Sequence, residues 1–233
     1  MLAEFIGTAL LLAAVVGSGI MADRLSPNDV GLKLLENSTA TGAALVAIIL
    51  AVGPVSGAHL NPAVTVADWV VGGVDARRAR GYVVAQLSGA VAGTITANLM
   101  FGRPVLELSS RVRFGPGLWL GEAVATFGLL LVIFGVVRSG RSGLAPFAVG
   151  AYIAAAYWFT SSTSFANPAV TIAREFSNTF AGVAPGSVLP FVLAQAVGTG
   201  VAIAAVKALY PRIHEVAERA VVPHQEAEPA PQR

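Results

Sequence analysis

The stretches Asn61–Ala67, NPAVTVA, and Asn167–Ala173, NPAVTIA, are nearly the same seven residues written twice in a chain of 233. Each follows a long apolar run and opens on Asn-Pro, a pair that interrupts such a run rather than extending it. Helix-end chemistry explains the choice. Asn is a favoured N-cap, Pro suits the first helical position because its missing N–H has no partner to lose there, and Ala-Val-Thr continues a helix. The heptapeptides therefore predict two short helices, from 61 to about 71 and from 167 to about 177, neither long enough to cross a bilayer.

The surrounding composition supplies the bilayer. With 55% hydrophobic residues, 12% charged residues and a mean hydropathy of +0.70, the chain lies outside the balance of soluble domains and reads as a membrane protein. Apolar runs near 2–21, 39–58, 81–101, 117–137, 143–161 and 187–209 are each long enough to cross roughly 30 Å of hydrocarbon as a helix. The first run is kept as a span because Glu4 stands where a signal peptide would carry Lys or Arg. The absence of cysteine excludes disulfides and Cys metal sites, and a formal charge of +2 makes no case for nucleic acid. Arg77, Arg78, Arg80, Arg138, Arg141 and Lys207 fall on the side of the termini, against Arg24, Lys33, Arg103, Arg111 and Arg113 opposite. That bias predicts both termini in the cytoplasm. The closing "PHQEAEPAPQR" lacks apolar content, so 211–233 is expected to be a disordered cytoplasmic tail.

The repetition extends beyond the heptapeptides. Glu4 and Thr8 match Glu122 and Thr126, and Gln86 in "YVVAQLSG" matches Gln195 in "FVLAQAVG". Each half, about 1–101 and about 117–210, thus holds three spans and one short helix. Three is odd, so the second half must lie inverted relative to the first. The expected fold class is an all-α membrane protein with six transmembrane helices and two re-entrant half-helices, an inverted repeat forming one channel domain over 1–210. Non-helical backbone at membrane depth is tolerated only inside protein or along a watery cavity, and "GPVSGAHL" and "FTSSTSFA" supply it just before the two motifs. Two helix N-termini then meet near the midplane, each with about half a positive charge. Asn61 and Asn167 can add side-chain donors. Such a site suits a neutral hydrogen-bond acceptor and opposes a cation.

With its two Asn-Pro-Ala boxes, "SGAHLNPAVT" around the first, and paired glutamates in spans one and four, the chain resembles the aquaporin and glycerol-facilitator family, the major intrinsic proteins. The resemblance covers about 1–210. It implies one passive, proton-excluding pore per subunit, assembly as a homotetramer in the plasma (bacterial inner) membrane, water and small neutral solutes as partners, and no cofactor, metal or enzymatic activity. Asn61, Pro62, Ala63, Asn167, Pro168 and Ala169 would line the pore. Glu4 and Glu122 would accept backbone N–H groups of the re-entrant loops, with Gln86, Gln195 and His59 as further supports. Trp69, Trp119 and Trp158 are expected in the core or at the interface.

The family's selectivity filter has four positions, which fall here at Thr41, near Ala155, and at Ser164 and Val170. Water-selective and glycerol-selective members usually carry Arg directly after the second Asn-Pro-Ala, where this sequence has Val170. Four small or medium side chains imply a wider, uncharged neck passing glycerol, urea or undissociated metalloid acids such as arsenous acid. The stretch "NPAVTIAR" with "TFAG" is similar to bacterial members linked to arsenic handling. Arg174 lies one turn beyond Val170 on nearly the same helix face, a possible vestibule residue. Two other readings stay open: a secondary transporter, which shares inverted repeats and broken helices, and a strictly water-selective pore.

Overall fold

The computed structural model describes residues 1–211, so the expected tail beyond Pro211 lies outside the described residues. Among the described residues eight α-helices are laid down in order: α1 Leu2–Leu25, α2 Val30–Ser56, α3 Pro62–Val71, α4 Ala76–Met100, α5 Pro116–Arg138, α6 Ala145–Phe159, α7 Pro168–Ala173 and α8 Pro185–Leu209. Six segments are long and apolar enough to cross a membrane, α6 counting together with the 3-10 turn Ser142–Leu144 that precedes it. Among the described residues there is no strand.

The spans start earlier than hydropathy alone indicates. α2 begins at Val30 rather than near 39, because Asp29 accepts the Leu32 N–H at 2.8 Å as an N-cap. α4 begins at Ala76 rather than 81, with Asp75 accepting from Arg77 and Arg78 at 2.8 Å each. Both early turns carry charged side chains, which lower a hydropathy average without opposing a helix. Lys33 in α2 is neutralised by Asp23 at 2.6 Å, and Asn37 donates to the Val15 carbonyl at 2.9 Å. The second half-helix is shorter than expected: α7 ends at Ala173 and the chain tightens into a 3-10 turn over Arg174–Phe176.

The two halves pack alike. α1 lies along α4, α5 along α8, and α2 meets α6 across the middle. These approaches need small residues, since helices in lipid associate through close backbone packing. A Cβ at Gly89 or Gly93 would strike the carbonyls of Phe5 and Ala9, and one at Gly198 would strike that of Ala123. The lipid-facing surface carries the exposed apolar side chains, among them Leu10, Val84, Leu120, Leu193 and Val197. Trp69 and Trp158 are exposed as well, whereas Trp119 is half-buried and edge-on to Phe114. α1 begins and α8 ends on one face, here the terminal face; the turns after α1 and α4 and the segment 174–184 lie on the far face.

Candidate functional site

Each half-helix is preceded by a backbone that L-residues rarely adopt. Gly57, Ala58 and Leu60 have φ of 83°, 49° and 51°, and their counterparts Thr163, Ser164 and Ala166 have φ of 62°, 48° and 47°. Five non-glycine residues in the left-handed region carry a cost that surrounding structure must offset. Two buried carboxylates do so. Glu4 accepts from His59 N at 3.0 Å, Leu60 N at 2.7 Å, Ser56 Oγ at 2.6 Å and Gln86 Nε2 at 2.7 Å. Glu122 accepts from Phe165 N and Ala166 N at 2.9 Å each and from Gln195 Nε2 at 2.6 Å. A carboxylate buried in a membrane protein is costly unless its oxygens are saturated with donors, as these are. Gln86 and Gln195 also donate to Thr65 and Thr171, one turn into each half-helix, at 2.9 and 2.8 Å.

The half-helices meet end to end. Asn61 Oδ1 caps Ala63 N at 2.8 Å while its amide donates to the Ala166 carbonyl at 2.8 Å. Asn167 Oδ1 caps Ala169 N at 3.0 Å and its amide donates to the Leu60 carbonyl at 2.8 Å. Each motif thus holds the other's loop. An amide nitrogen has two hydrogens, and both Asn side chains line the cavity beside them, so one donor from each remains for a passing solute.

That cavity runs through the middle of the bundle. One wall is apolar, built from Leu11, Val15, Leu45 and Ile49 of α1 and α2 and from Ile133 and Ile153 of α5 and α6. The other is the re-entrant backbone with His59, Asn61, Ser164, Asn167 and Val170. Dewetting walls on one side and a ladder of polar groups on the other suit hydrogen-bonding neutral solutes.

Toward the far face the lining departs from the expected neck in two ways. Thr41, Ser164 and Val170 line it, but Ala155 does not: it is exposed on the outer side of α6. Residues advance by about 100° along a helix, so Ala155 points away from the face shared by Val149, Ile153 and Tyr157. Tyr157 occupies the place, 3% exposed, with its hydroxyl 3.3 Å from Thr41 Oγ1. The i, i+4, i+8 run Val149, Ile153, Tyr157 was the signal that identifies this face. The neck is also not uncharged. Arg174 is 2% exposed, its guanidinium carbon 3.5 Å from the centre of the Phe165 ring and its Nε donating to the Ala181 carbonyl, and it lines the same cavity as Val170 and Tyr157.

At the other mouth His59 lies between two partners. Its Nδ1 is 3.1 Å from Thr65 Oγ1 and its Nε2 is 3.5 Å from Asp68 Oδ2, with Tyr82 edge-on at 5.3 Å. Asp68, 1% exposed, is the acidic side chain of this end.

Comparison with known proteins follows the same outline. A family model described as major intrinsic protein matches residues 1–166. Aquaglyceroporin AqpS of Rhizobium meliloti (strain 1021) is 52% identical over 202 residues, covering 87% of this chain and 86% of that protein. The lens fiber major intrinsic protein of Gallus gallus is 33% identical, covering 95% of this chain and 85% of its own. The X-ray structure of the aquaglyceroporin from Plasmodium falciparum superposes with a TM-score of 0.68 at 24% identity, over 91% of this chain and 96% of that one; this likeness concerns the fold.

Proposed function

Because the chain belongs to the major intrinsic protein family, and so forms a membrane channel for small solutes, we propose that it passes uncharged polyol-sized molecules: glycerol, urea and undissociated metalloid acids such as arsenous acid, together with water. The observation that carries this reading is the neck. Val170 stands directly after the second Asn-Pro-Ala, and the guanidinium that shares the cavity enters one turn further out, from Arg174. Thr41, Tyr157 and Ser164 offer hydroxyls to a solute that carries its own, while the opposing aliphatic wall takes its CH groups. The relative named an aquaglyceroporin, at 52% identity, supports the same assignment.

The residues proposed to do the work are Asn61 and Asn167 at the centre, with the Pro and Ala of each motif setting the helix ends, and Thr41, Tyr157, Ser164, Val170 and Arg174 at the neck. Glu4, Glu122, Gln86, Gln195 and His59 fix the loops. The functional unit is residues 1–210, working as a homotetramer with one pore per subunit. It sits in the plasma membrane with the terminal face cytoplasmic, in keeping with Arg77, Arg78, Arg80, Arg138 and Arg141 on that side. Conduction is passive and needs no ion.

The test is uptake into proteoliposomes followed by light scattering. The proposed rates for glycerol, urea and arsenous acid rise in proportion to the gradient and are indifferent to Na⁺ or H⁺ gradients. Saturation at low millimolar solute, or dependence on an ion gradient, would replace the channel by a transporter; water flow without glycerol flow would replace it by a water-selective pore.

A further inference from the structure

On the far face a second cavity adjoins the neck, and two of the cations around it have no part in the pore described above. Asn37, Arg111, Arg113, Thr163, Arg174 and Phe180 line it. Arg174 lines both cavities, so the second lies directly beside the neck.

Neutral groups hold all three guanidinium ions. Arg113 donates from Nε to the Gly182 carbonyl at 3.0 Å and from Nη2 to the Phe180 carbonyl at 3.3 Å, its Nη1 lies 3.5 Å from Thr163 Oγ1, and its guanidinium carbon is 5.1 Å from the Phe165 ring centre. Arg174 shares that ring from 3.5 Å and donates to the Ala181 carbonyl. Arg111 rests 4.8 Å from the centre of the Phe180 ring, and among the described residues its guanidinium has no hydrogen bond or ion pair.

Among the described residues no carboxylate forms an ion pair with them. The ion pairs among the described residues are Lys33 with Asp23, Arg103 with Glu107, and His59 with Asp68. Asp23, the acid whose field reaches Arg111, is taken by Lys33 at 2.6 Å. Glu122, whose field reaches both Arg113 and Arg174, supplies one negative charge against three guanidinium ions, and its oxygens are turned to the Phe165 and Ala166 N–H groups and Gln195. Burial, followed by the neighbouring Arg174 and Arg111, lowers Arg113 to about 9. Three clustered guanidinium ions with no carboxylate paired to any of them form a site that a planar or tetrahedral anion completes, since a guanidinium presents paired N–H donors that match two oxygens.

We propose that this cavity binds a small oxyanion, with inorganic phosphate as its simplest representative, between Arg111, Arg113 and Arg174, and that the bound anion stands over the neck and slows neutral solutes from the far face. Free phosphate and an anionic lipid headgroup share this chemistry. The binding stands on the arginines alone; the slowing rests on the channel reading.

Phosphorus NMR or titration calorimetry on the purified protein in neutral detergent reads the binding. Saturable binding of inorganic phosphate in the millimolar range, displaced by sulfate and not by chloride, is expected. Arg111→Gln raises the half-saturating concentration about tenfold, as the loss of one charge-assisted contact requires, and Arg111→Lys, which keeps the charge and loses the fork, falls between. In phosphatidylcholine proteoliposomes, phosphate on both sides reduces glycerol permeability several-fold relative to chloride at equal ionic strength, each variant being read against its own rate in chloride. If phosphatidylglycerol slows glycerol without free phosphate, the occupant is a lipid headgroup in the same site. Absence of saturable binding, or binding that Arg111→Gln leaves unchanged, overturns the site. Bound phosphate with an unchanged glycerol rate overturns the slowing. Protein that binds phosphate but passes no glycerol in chloride keeps the site and removes the channel reading instead.

Discussion

In the first re-entrant segment His59 stands beside Asp68, ring nitrogen to carboxylate at 3.5 Å; in the second, the equivalent positions hold Phe165 and Arg174, guanidinium carbon to ring centre at 3.5 Å. The backbone beneath them is duplicated, down to three left-handed residues before each half-helix and a serine hydroxyl, Ser56 or Ser162, accepting from the N–H two residues on at 3.2 or 3.3 Å. The side chains above it differ. One scaffold thus carries an imidazole–carboxyl pair at the terminal mouth and a guanidinium at the far mouth, so its repeated parts fix where the pore runs while its unrepeated parts differ from end to end. The three arginines of the second cavity, Arg111, Arg113 and Arg174, fall in the unrepeated class.

The largest effects are expected where the duplicated scaffold is cut. Glu4→Ala orphans the His59 and Leu60 N–H groups and the Ser56 hydroxyl and removes one of Gln86's two acceptors, while Glu122→Ala orphans the Phe165 and Ala166 N–H groups and removes one of Gln195's two acceptors. At about 1–3 kcal/mol for each buried group left unpaired, both variants melt far below the parent in detergent, Glu4→Ala the further. Melting within a degree of the parent for either would show that the carboxylates do not hold the loops.

Cutting the unrepeated parts acts on permeability rather than folding. Arg174→Ala removes the far mouth's guanidinium from the neck, so glycerol permeability rises several-fold and a cation leak appears in a dye assay, because one electrostatic barrier to cations has gone. Asp68→Asn, at the opposite mouth, alters glycerol flow less. Equal effects of the two would mean that the neck does not lie at the far end.

Smaller still is the change at α6. Tyr157→Phe loses the hydroxyl facing Thr41 and shifts the ratio of glycerol to water permeability by about twofold, as one modest hydrogen bond allows. Ala155→Leu, on the exposed face, leaves that ratio unchanged. The reverse ranking would restore Ala155 to the pore.

Sequence reading reached the parts of this molecule that are written twice. Glu4 and Glu122, Gln86 and Gln195, and the two Asn-Pro-Ala boxes could be paired by their order alone, and capping chemistry then assigned the half-helices their direction. What appears once was harder. Tyr157 has no counterpart to reveal it, and counting placed the neck at Ala155, two residues and a helix face away. Asp29 and Asp75 marked the true starts of α2 and α4, but window averaging hid them behind Lys33, Glu36 and the arginines at 77 and 78. Arg174 was legible as lying one turn beyond Val170. That its side chain enters the neck depends on the Ala181 carbonyl, brought within reach by the folded segment 174–184, and on the Phe165 ring of the re-entrant backbone before α7.

On the proposed reading, the neck passes a polyol because its guanidinium enters one turn away from the residue that follows Asn-Pro-Ala. Stopped-flow measurement of glycerol and water permeability for the parent and Val170→Arg tests it directly. The account predicts that the added guanidinium lowers glycerol permeability far more than water permeability. Equal loss of both, or no change in either, would contradict it.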